Sequence, residues 1–309
     1  LLFYFKLQMN RYCLILSLSL INYCLAEAKY YTYDEIDSTL HFWQGTIGEE
    51  NYQLPSNPEK DYGIIYNLDT IGYSSQDSLP IFAVKLSDNV KVDEDEARVL
   101  ILGQCHAEEI YGVEIAMAII ECFVDPNTCY QNTFIDGLEN YLSYSLDNIE
   151  LWVVPTHNPE GLKVVHGYVD LEGNEIKDPS YRKNIRDANS NHTFLENTDW
   201  KYGVGFDEDG VDLNRNYGLN WIFGNDHLAG TPSECASGKS YNDYYDYFRG
   251  NEPFSENETL AIKNLVSDNQ FLLSIAYHSS RSGCVAQRVV FPWGWKDKGN
   301  SDDQRKRSP

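Results

Sequence analysis

The stretch 98–109 constrains the fold more than any other part of this sequence. Its apolar run 99–102 predicts a buried strand, and residues 110–120 after it predict a helix. Between these elements lie His106 and, three residues later, Glu109. An imidazole and a carboxylate at this spacing can reach one zinc ion from the same side, and a catalytic zinc takes three protein ligands. The alternative is a surface histidine near a helix N-terminus, where acidic side chains favour the helix dipole.

A candidate for the third ligand, His278, lies far along the chain. It ends the apolar run 271–278, which predicts a buried strand, just as His106 follows one. In open α/β sheets, ligands bind outside the carboxyl ends of the strands. His106, Glu109 and His278 would together form a His2Glu set typical of catalytic zinc sites. Taken alone, a histidine at such a position is more often held by hydrogen bonds than by a metal.

The composition is that of an acidic chain with enough apolar residues to build a core. Among 309 residues, 47 are Asp or Glu and 24 are Lys or Arg, so the formal net charge is −23, and 42% of the residues are hydrophobic. Nucleic acids and anionic membrane surfaces would repel such a chain, and we expect neither as a partner. The charge otherwise indicates a solvated acidic surface.

The N-terminus has the features of a secretory signal peptide over residues 9–28. Met9 and Arg11 precede the short apolar run 13–21, and the small residues that follow suit cleavage. The run is too short to cross a bilayer permanently, so we expect a secreted protein without a membrane span. The alternative is a buried N-terminal helix. Residues 1–8 precede the first Met and are interpreted as an upstream artefact.

Export allows disulfide bonds, and five cysteines follow the predicted signal peptide. Cys122 and Cys129 are the nearest pair and flank a Pro-Asn turn, so we predict a bridge between them. The odd number leaves at least one thiol free or paired outside the chain.

Helical and extended patterns alternate along the rest of the chain. Thr32 and Glu35 form a capping box that predicts a helix to about residue 44, and Ser255 is the predicted cap of a helix over 255–266. A further helix is predicted over 134–144, and strands are predicted over 63–71, 79–86, 149–155 and 289–292, the first two as a hairpin. This alternation indicates one α/β domain with a mixed sheet over residues 29–309.

The long irregular span 156–250 contains two further candidate segments, and such spans in compact domains are usually functional. Arg182 is one of three cations within six residues, and Arg215 lies between two Asn residues, one of them Asn214, and near Asp212. A guanidinium flanked by amide donors can grip a carboxylate, and a second Arg directed at a carbonyl would stabilise an oxyanion. The alternative for either segment is a surface cluster of salt bridges.

Five segments in this order resemble the zinc carboxypeptidase family, the carboxypeptidase A-like metallopeptidases. They are His106-Ala-Glu-Glu109, His157-Asn-Pro-Glu-Gly161, Tyr181-Arg-Lys-Asn-Ile-Arg186, Gly210-Val-Asp-Leu-Asn-Arg-Asn216 and His278-Ser279. The second segment is interpreted as a turn. The resemblance runs from Thr32 to about Trp293 and implies a single α/β domain, whose mixed and mostly parallel central sheet is flanked by helices.

The resemblance implies a metal centre and a reaction. His106, Glu109 and His278 would bind one Zn²⁺, and Asp212 would orient His106 from outside the ligand set. The reaction implied is hydrolysis of the C-terminal peptide bond of peptides or proteins by zinc-activated water, with a glutamate as general base. We expect a monomer.

The resemblance also implies roles for the cationic segments. Arg182 would polarise the scissile carbonyl and stabilise the developing oxyanion, while Asn214 and Arg215 would hold the C-terminal carboxylate of the substrate. Glu108 stands where many relatives have Arg, so a preference for acidic residues upstream of the cleaved bond should weaken.

The sequence departs from the family pattern at the general base. In the family this glutamate lies downstream of the second zinc histidine, but the last glutamate of this chain is Glu258. Asp297, Asp302 and Asp303 stand in a polar tail and are poor substitutes. We therefore expect a fragment in which the C-terminal strands, with the base and the specificity pocket, are missing.

Two alternatives to a secreted zinc metallocarboxypeptidase stay open. One is a catalytically dead module that binds zinc or peptide C-termini without turnover. The other is a related zinc amidohydrolase of acylated amino acids, since those substrates also carry a carboxylate that Arg182, Asn214 and Arg215 would suit.

Overall fold

The computed structural model describes residues 30–133, 135–170, 173, 175–187, 209–218, 221 and 248–279. Several predictions fall outside these ranges, namely the upstream residues 1–8, the signal peptide 9–28, the strand 289–292 and the polar tail with its three aspartates. Within the described ranges the chain forms one five-stranded sheet with helices packed against it.

Three consecutive strands open the described chain after the first helix, and helices separate the later strands of the central sheet. The strands are β1 (Tyr66–Tyr73), β2 (Pro80–Leu86), β3 (Ala97–Gln104), β4 (Ile149–Thr156), the short pair β5 (Tyr168–Val169) and β6 (Glu175–Ile176), and β7 (Leu273–Ala276). The central sheet has the order β1-β2-β4-β3-β7, and β5 and β6 form a separate two-stranded sheet among the described residues.

Four of the five central strands run in the same direction. β2 is antiparallel to both β1 and β4, whereas β3 is parallel to both β4 and β7. This arrangement confirms the predicted mixed, mostly parallel sheet. Because β4, β3 and β7 are adjacent and parallel, their carboxyl ends lie side by side at one edge, where α/β proteins bind ligands.

Six helices are described around the sheet. They are α1 (Tyr33–Thr46), α2 (Tyr111–Val124), α3 (Pro126–Thr133), α4 (Leu138–Asn148), α5 (Pro159–His166) and α6 (Asn257–Asn269), and a 3₁₀ turn spans Leu213–Arg215. Within the ranges that the structure describes, no helix combines the length and the apolar character needed to cross a membrane.

Both faces of the central sheet are apolar because helices cover both. On β2, Phe82 and Val84 belong to the core formed with α1, α2 and α4, whereas Ile81 and Ala83 belong to the core formed with α6. Neighbouring side chains of a strand point to opposite faces. Burial on both sides therefore explains why β2 appears in the sequence as a continuous apolar run. The buried strand predicted over 271–278 is corrected: it forms only as the short β7, and all four of its residues are exposed in the part of the chain that the structure describes.

The turn from β3 into α2 is held by a close approach of two glycines. A Cβ added at Gly112 would lie 1.7 Å from the carbonyl oxygen of Gly103, and one added at Gly103 would lie 2.2 Å from the carbonyl oxygen of Pro155. No side chain fits at either position. The start of α2 therefore lies directly against the end of β3, which holds His106 and Glu109 in a short, tight connection.

Several local predictions are confirmed. The capping box of α1 is present, since Thr32 accepts from Glu35 N and the Glu35 side chain accepts from Thr32 N. The hairpin β1–β2 forms, the strands β3 and β4 lie where expected, and a disulfide joins Cys122 to Cys129.

Three other local predictions are wrong in where or how a helix begins. The helix expected over 134–144 is α4, which begins at Leu138, because Gly137 precedes it in a left-handed conformation with φ of 73°. The cap of α6 is Glu256 rather than Ser255, whose hydroxyl instead donates to Glu256 Oε1. The turn expected at Asn158 begins α5, since the Asn158 side chain accepts from Gly161 N.

Candidate metal centre

Three predicted ligands meet at the carboxyl ends of β3 and β7. His106 follows β3 by two residues, His278 follows β7 by two, and Glu109 lies just before α2. The Nδ1 atom of His106 is 3.0 Å from Glu109 Oε1, and the Nδ1 atom of His278 is 2.8 Å from Glu109 Oε2 and 3.2 Å from His106 Nδ1. His106 and Glu109 are buried, whereas His278 is partly open to solvent.

These separations suit a zinc ion. Zinc bonds of about 2.0–2.1 Å at tetrahedral angles place neighbouring donor atoms roughly 3.3 Å apart. The three separations between His106, Glu109 and His278, from 2.8 to 3.2 Å, lie close to that value. Two imidazole nitrogens and one carboxylate also form a donor set that zinc accepts. The residues present therefore fit the metal.

Asp212 prepares His106 for this role. Its Oδ1 lies 3.2 Å from His106 Nε2 and 3.0 Å from the amide nitrogen of Asn214, and its Oδ2 accepts from Arg182 Nε at 3.0 Å. When His106 is neutral, a proton on Nε2 that is donated to Asp212 leaves the Nδ1 lone pair facing Glu109 and His278, whereas the protonated imidazole donates to Asp212 and Glu109 at the same time. The neutral form with its proton on Nε2 is the tautomer that a metal requires.

The charges around the ligands shift several pKa values. Burial lowers the pKa of His106, but the charge of Asp212 and hydrogen bonds to Asp212 and Glu109 outweigh it and raise the pKa. Burial raises the pKa of Glu109, but hydrogen bonds from His106 and His278 bring it down to about 2. Burial also raises the pKa of Asp212, yet the charges of Arg182 and His106 hold it well below its usual range. Both carboxylates are therefore ionised at neutral pH.

Arg182 lies beside the metal ligands in an acidic environment. Besides its bond to Asp212, its Nη1 is 3.6 Å from Glu108 Oε1 and 3.8 Å from Glu109 Oε1. Burial lowers the pKa of Arg182, but the charges of Asp212 and Glu108 outweigh this effect and raise it, so the guanidinium keeps its charge. The backbone also holds this segment, since Ala107 N donates to the carbonyl oxygen of Arg182 at 3.1 Å.

Asn214 and Arg215 lie in a 3₁₀ turn that Asp212 caps. The cap brings Asn214 N to Asp212 Oδ1, and Arg215 Nη1 donates to the carbonyl oxygen of Asn214 at 3.3 Å. The charge of Arg215 contributes to the lowered pKa of Asp212, so both residues belong to the same electrostatic cluster. The structure thus brings all seven sequence-predicted site residues to one edge of the sheet.

Two buried residues at the site were not predicted to belong to it: Gln104, and His157, whose segment was interpreted only as a turn. Gln104 is fully buried and ties the ends of β3 and β4 together, because it donates to Ala107 O at 2.7 Å and accepts from Thr156 Oγ1 at 2.5 Å. His157 follows β4, and its backbone N–H donates to the carbonyl oxygen of Gln104. Burial, together with the charges of His278 and His106, lowers the pKa of the His157 imidazole to about 3. Its place after a strand, like that of His106, was the available signal.

Glu258, the last glutamate in the sequence, belongs to another environment. It lies in the first turn of α6, fully buried, and accepts from Ser75 N at 3.1 Å and from Asn184 Nδ2 at 3.2 Å. Its bonding partners are thus residues of other segments rather than the ligands His106 and His278.

A second group of acidic side chains contrasts with this centre. Asp88, Glu94 and Glu96 have carboxylate oxygens near one another, but they are partly or fully exposed and include no nitrogen donor. Zinc prefers sites with imidazole or thiolate ligands, so this acidic group serves as a reference in zinc-binding experiments.

Residues 52–308 match the sequence model of the zinc carboxypeptidase family. A zinc carboxypeptidase of Saccharothrix mutabilis subsp. capreolus is 30% identical over 181 residues, which are 59% of this chain and 33% of that protein. Human mast cell carboxypeptidase A is 27% identical over 279 residues, which are 86% of this chain and 53% of that protein. The chain thus spans about a third to a half of these relatives.

Solved structures share the fold. Carboxypeptidase A from Helicoverpa armigera superposes with a TM-score of 0.54 at 21% identity, covering 82% of this chain and 46% of that one. Thrombin activatable fibrinolysis inhibitor superposes with a TM-score of 0.56 at 18% identity, covering 90% of this chain and 53% of that one.

Proposed function

Because the chain belongs to the zinc carboxypeptidase family, we propose that it binds one zinc ion through His106, Glu109 and His278 and acts in the hydrolysis of the C-terminal peptide bond of peptides or proteins. The observation that carries this proposal is the convergence of three donor atoms 2.8–3.2 Å apart at the edge of the sheet. A zinc ion in such a site acts as a Lewis acid that polarises a carbonyl and acidifies water.

The chain's own residues would bind and orient the substrate. Arg182 keeps its positive charge in a buried setting and lies next to the ligand Glu109, so it can stabilise negative charge that develops on the scissile carbonyl oxygen. Asn214 and Arg215 lie together in one tight turn and offer an amide and a guanidinium to the substrate's terminal carboxylate. Asp212 holds His106 and Arg182 in place through its two carboxylate oxygens.

Binding of peptide C-termini without turnover is the second candidate. The observation on its side is that Glu258 hydrogen-bonds Ser75 and Asn184 instead of facing the ligands, so this glutamate is not placed as a general base. A related zinc amidohydrolase would use the same carboxylate-binding groups, and the choice of substrate in the experiment below separates the two.

We further propose that the protein is secreted and monomeric, with residues 9–28 as its signal peptide. The disulfide Cys122–Cys129 supports this, because such bonds persist in oxidising compartments. The excess of acidic residues argues against nucleic acids as partners.

The test uses the full-length protein with three substrates. Two are peptides that are identical except that one carries a free and the other an amidated C-terminus, and the third is an N-acylated amino acid. Mass spectrometry should show stepwise loss of C-terminal residues from the free peptide alone. A chelator should abolish this loss, and added zinc should restore it. Hydrolysis that survives chelation, or that is equal for both peptides, would contradict the proposal. Tight binding of the free peptide without cleavage would identify the binding module, and cleavage of acylated amino acids alone would identify the amidohydrolase.

A further inference from the structure

The first turn of α6 contacts both segments that carry the site arginines. We call residues 256–259 the anchor turn. Glu256, Glu258 and Thr259 are all fully buried in it. A buried carboxyl group costs free energy unless it is paired or hydrogen-bonded. The fold therefore depends on the hydrogen-bond partners of these side chains staying in place.

Asn184 joins the anchor turn to the segment of Arg182. Its Nδ2 donates to Glu256 Oε2 at 2.8 Å and to Glu258 Oε1 at 3.2 Å. Asn184 is fully buried and lies two residues after Arg182. The two carboxylates therefore fix the place of this backbone, and with it the point from which the Arg182 side chain extends.

The same asparagine reaches the segment of Asp212. The side-chain Oδ1 of Asn184 accepts from the backbone N–H of Val211 at 2.7 Å, and the backbone N–H of Asn184 donates to the carbonyl oxygen of Val211 at 3.1 Å. Asp212 follows directly and accepts from Arg182 Nε. One amide side chain thus connects three stretches of chain around the Arg182–Asp212 pair.

Asn216 makes the equivalent connection for Arg215, which it follows directly. Its Oδ1 accepts from Glu256 N at 3.2 Å and from Thr259 Oγ1 at 2.6 Å. Its Nδ2 donates to Ser255 Oγ at 2.9 Å, and also to backbone carbonyls of the preceding loop. All the hydrogen-bonding capacity of this buried amide is therefore used in fixing the end of the 3₁₀ turn to α6.

We propose that the anchor turn is a positioning element of the active site, which sets the place of Arg182 through Asn184 and the place of Arg215 through Asn216. This inference rests on the proposed function, because it assigns the two arginines to the substrate's scissile carbonyl and terminal carboxylate. One rigid turn determines the distance between the two groups, and that distance must match the last residue of a peptide.

The charges within the anchor turn are compatible with a fixed structure. Arg186 Nη1 donates to Glu256 Oε1, so one carboxylate is neutralised by an ion pair. Burial, together with the charges of Glu160 and Glu256, raises the pKa of Glu258 to about 8. Glu258 therefore keeps its proton at neutral pH, and the carboxyl groups that Asn184 bridges do not repel each other strongly.

Two asparagine substitutions test the proposal, because they should affect different kinetic constants. Asn184→Asp cannot donate to Glu256, and it adds a third acidic group there, so kcat should fall by about 10- to 100-fold while KM changes little. Asn216→Asp loses the donor that holds the end of the turn near Arg215, so KM for free peptides should rise by about tenfold, with a smaller effect on kcat. Equal effects on both constants in both variants would overturn the assignment.

A second substitution should rescue the first. In the double variant Asn184→Asp with Glu256→Gln, the new amide can donate to the new carboxylate, and the Val211 bond to Oδ1 is kept. At least half of the lost kcat, on a logarithmic scale, should return. The single variant Glu256→Gln loses the ion pair with Arg186, so its kcat shows how much activity that substitution costs by itself. A double variant no better than Asn184→Asp would contradict the proposal.

A core substitution separates positioning from stability. Leu265→Ala removes a buried side chain from the same helix, on the face that packs against the sheet. It should lower stability without changing kcat or KM of the folded protein. In this control, activity should fall only as far as the folded fraction falls. If the asparagine variants behave in the same way, the proposal is overturned.

A readout without turnover distinguishes this proposal from the proposed function. Arginine Nε–H signals in ¹⁵N–¹H spectra should move for Arg182 in Asn184→Asp and for Arg215 in Asn216→Asp, and the Arg182 signal should return in the double variant. If the wild-type protein cleaves no peptide, the proposed function fails, and these signals still decide the positioning role. Signals that stay unmoved would overturn it.

Discussion

His106 and His278, 172 residues apart in the chain, bring their Nδ1 atoms to within 3.2 Å of each other. Two imidazole nitrogens at this distance do not form a favourable contact through their lone pairs. Glu109 faces both nitrogens with its two oxygens. A cation bound by all three donors, as proposed above, would make this arrangement favourable.

Loss of a single ligand should nearly abolish zinc binding. We expect His278→Ala to weaken zinc by more than the roughly 10- to 100-fold that loss of an outer partner costs, because a direct bond is removed. Competition with a chromophoric chelator measures the affinity. His41→Ala, at an exposed histidine of α1, is the matched control and should bind zinc normally. Equal affinity of the two variants would remove His278 from the ligand set.

Asp212→Asn should weaken zinc binding by roughly 10- to 100-fold without removing a ligand. The asparagine amide can donate to His106 Nε2, which moves the imidazole proton to Nδ1 and blocks the metal. The same competition assay applies. Glu94→Gln, in the partly exposed acidic group that lacks nitrogen donors, should leave the affinity unchanged. A normal zinc affinity in Asp212→Asn would show that Asp212 does not set the tautomer.

Arg182→Lys and Arg215→Lys should differ in their kinetic effects. Lysine keeps the charge but loses the planar fork of donors. If Arg182 stabilises the oxyanion, its replacement should lower kcat by about 100-fold or more. If Arg215 holds the terminal carboxylate, its replacement should mainly raise KM. Steady-state kinetics on free peptides measure both, with zinc affinity as the control. A raised KM with normal kcat in Arg182→Lys would reverse the assignment.

Glu258 should make the protein less stable as the pH rises. Its pKa is raised in the fold from 4.5 to about 8. Between these values the folded state holds a proton that the unfolded state releases, so the free energy of unfolding falls from about pH 5 to pH 8. Glu258→Gln mimics the neutral acid and should flatten this slope, with a gain of roughly 1–3 kcal/mol at pH 8. Urea unfolding at pH 5, 6.5 and 8 measures the difference, and parallel slopes for both proteins would contradict it.

The disulfide should stabilise the fold through the short connection between α2 and α3. Its half-cystines are seven residues apart, and closing a loop of that size contributes roughly 2–3 kcal/mol by the chain-entropy argument. Replacement of both Cys122 and Cys129 by Ser should lower the free energy of unfolding by about that amount in urea. A reductant should destabilise the wild type and leave the double variant unaffected. An unchanged wild type under reductant would show that the bond contributes little.

Much of the fold follows from local patterns. Strands β2, β3 and β4 are apolar runs because helices bury both of their faces, and Thr32 with Glu35 marks the start of α1. The starts of two helices are predicted less well, because one local backbone conformation or one tertiary contact decides each of them. Gly137 delays α4 by its left-handed φ, and contacts from Asn216 draw Ser255 into the loop before α6.

The amino-acid sequence is enough to identify the residue types that could bind a metal and to show that two of them, His106 and His278, follow predicted strands. Strand ends carry this information because parallel strands gather their carboxyl ends at one edge. The folded chain was needed to find that Asp212, 106 residues beyond His106, contacts its Nε2, and that Asn184 connects the segment of Arg182 to the first turn of α6. These hydrogen bonds involve the segments 181–186 and 210–216, which have no regular periodicity. No local sequence pattern predicts their partners, which are set by how distant segments pack together.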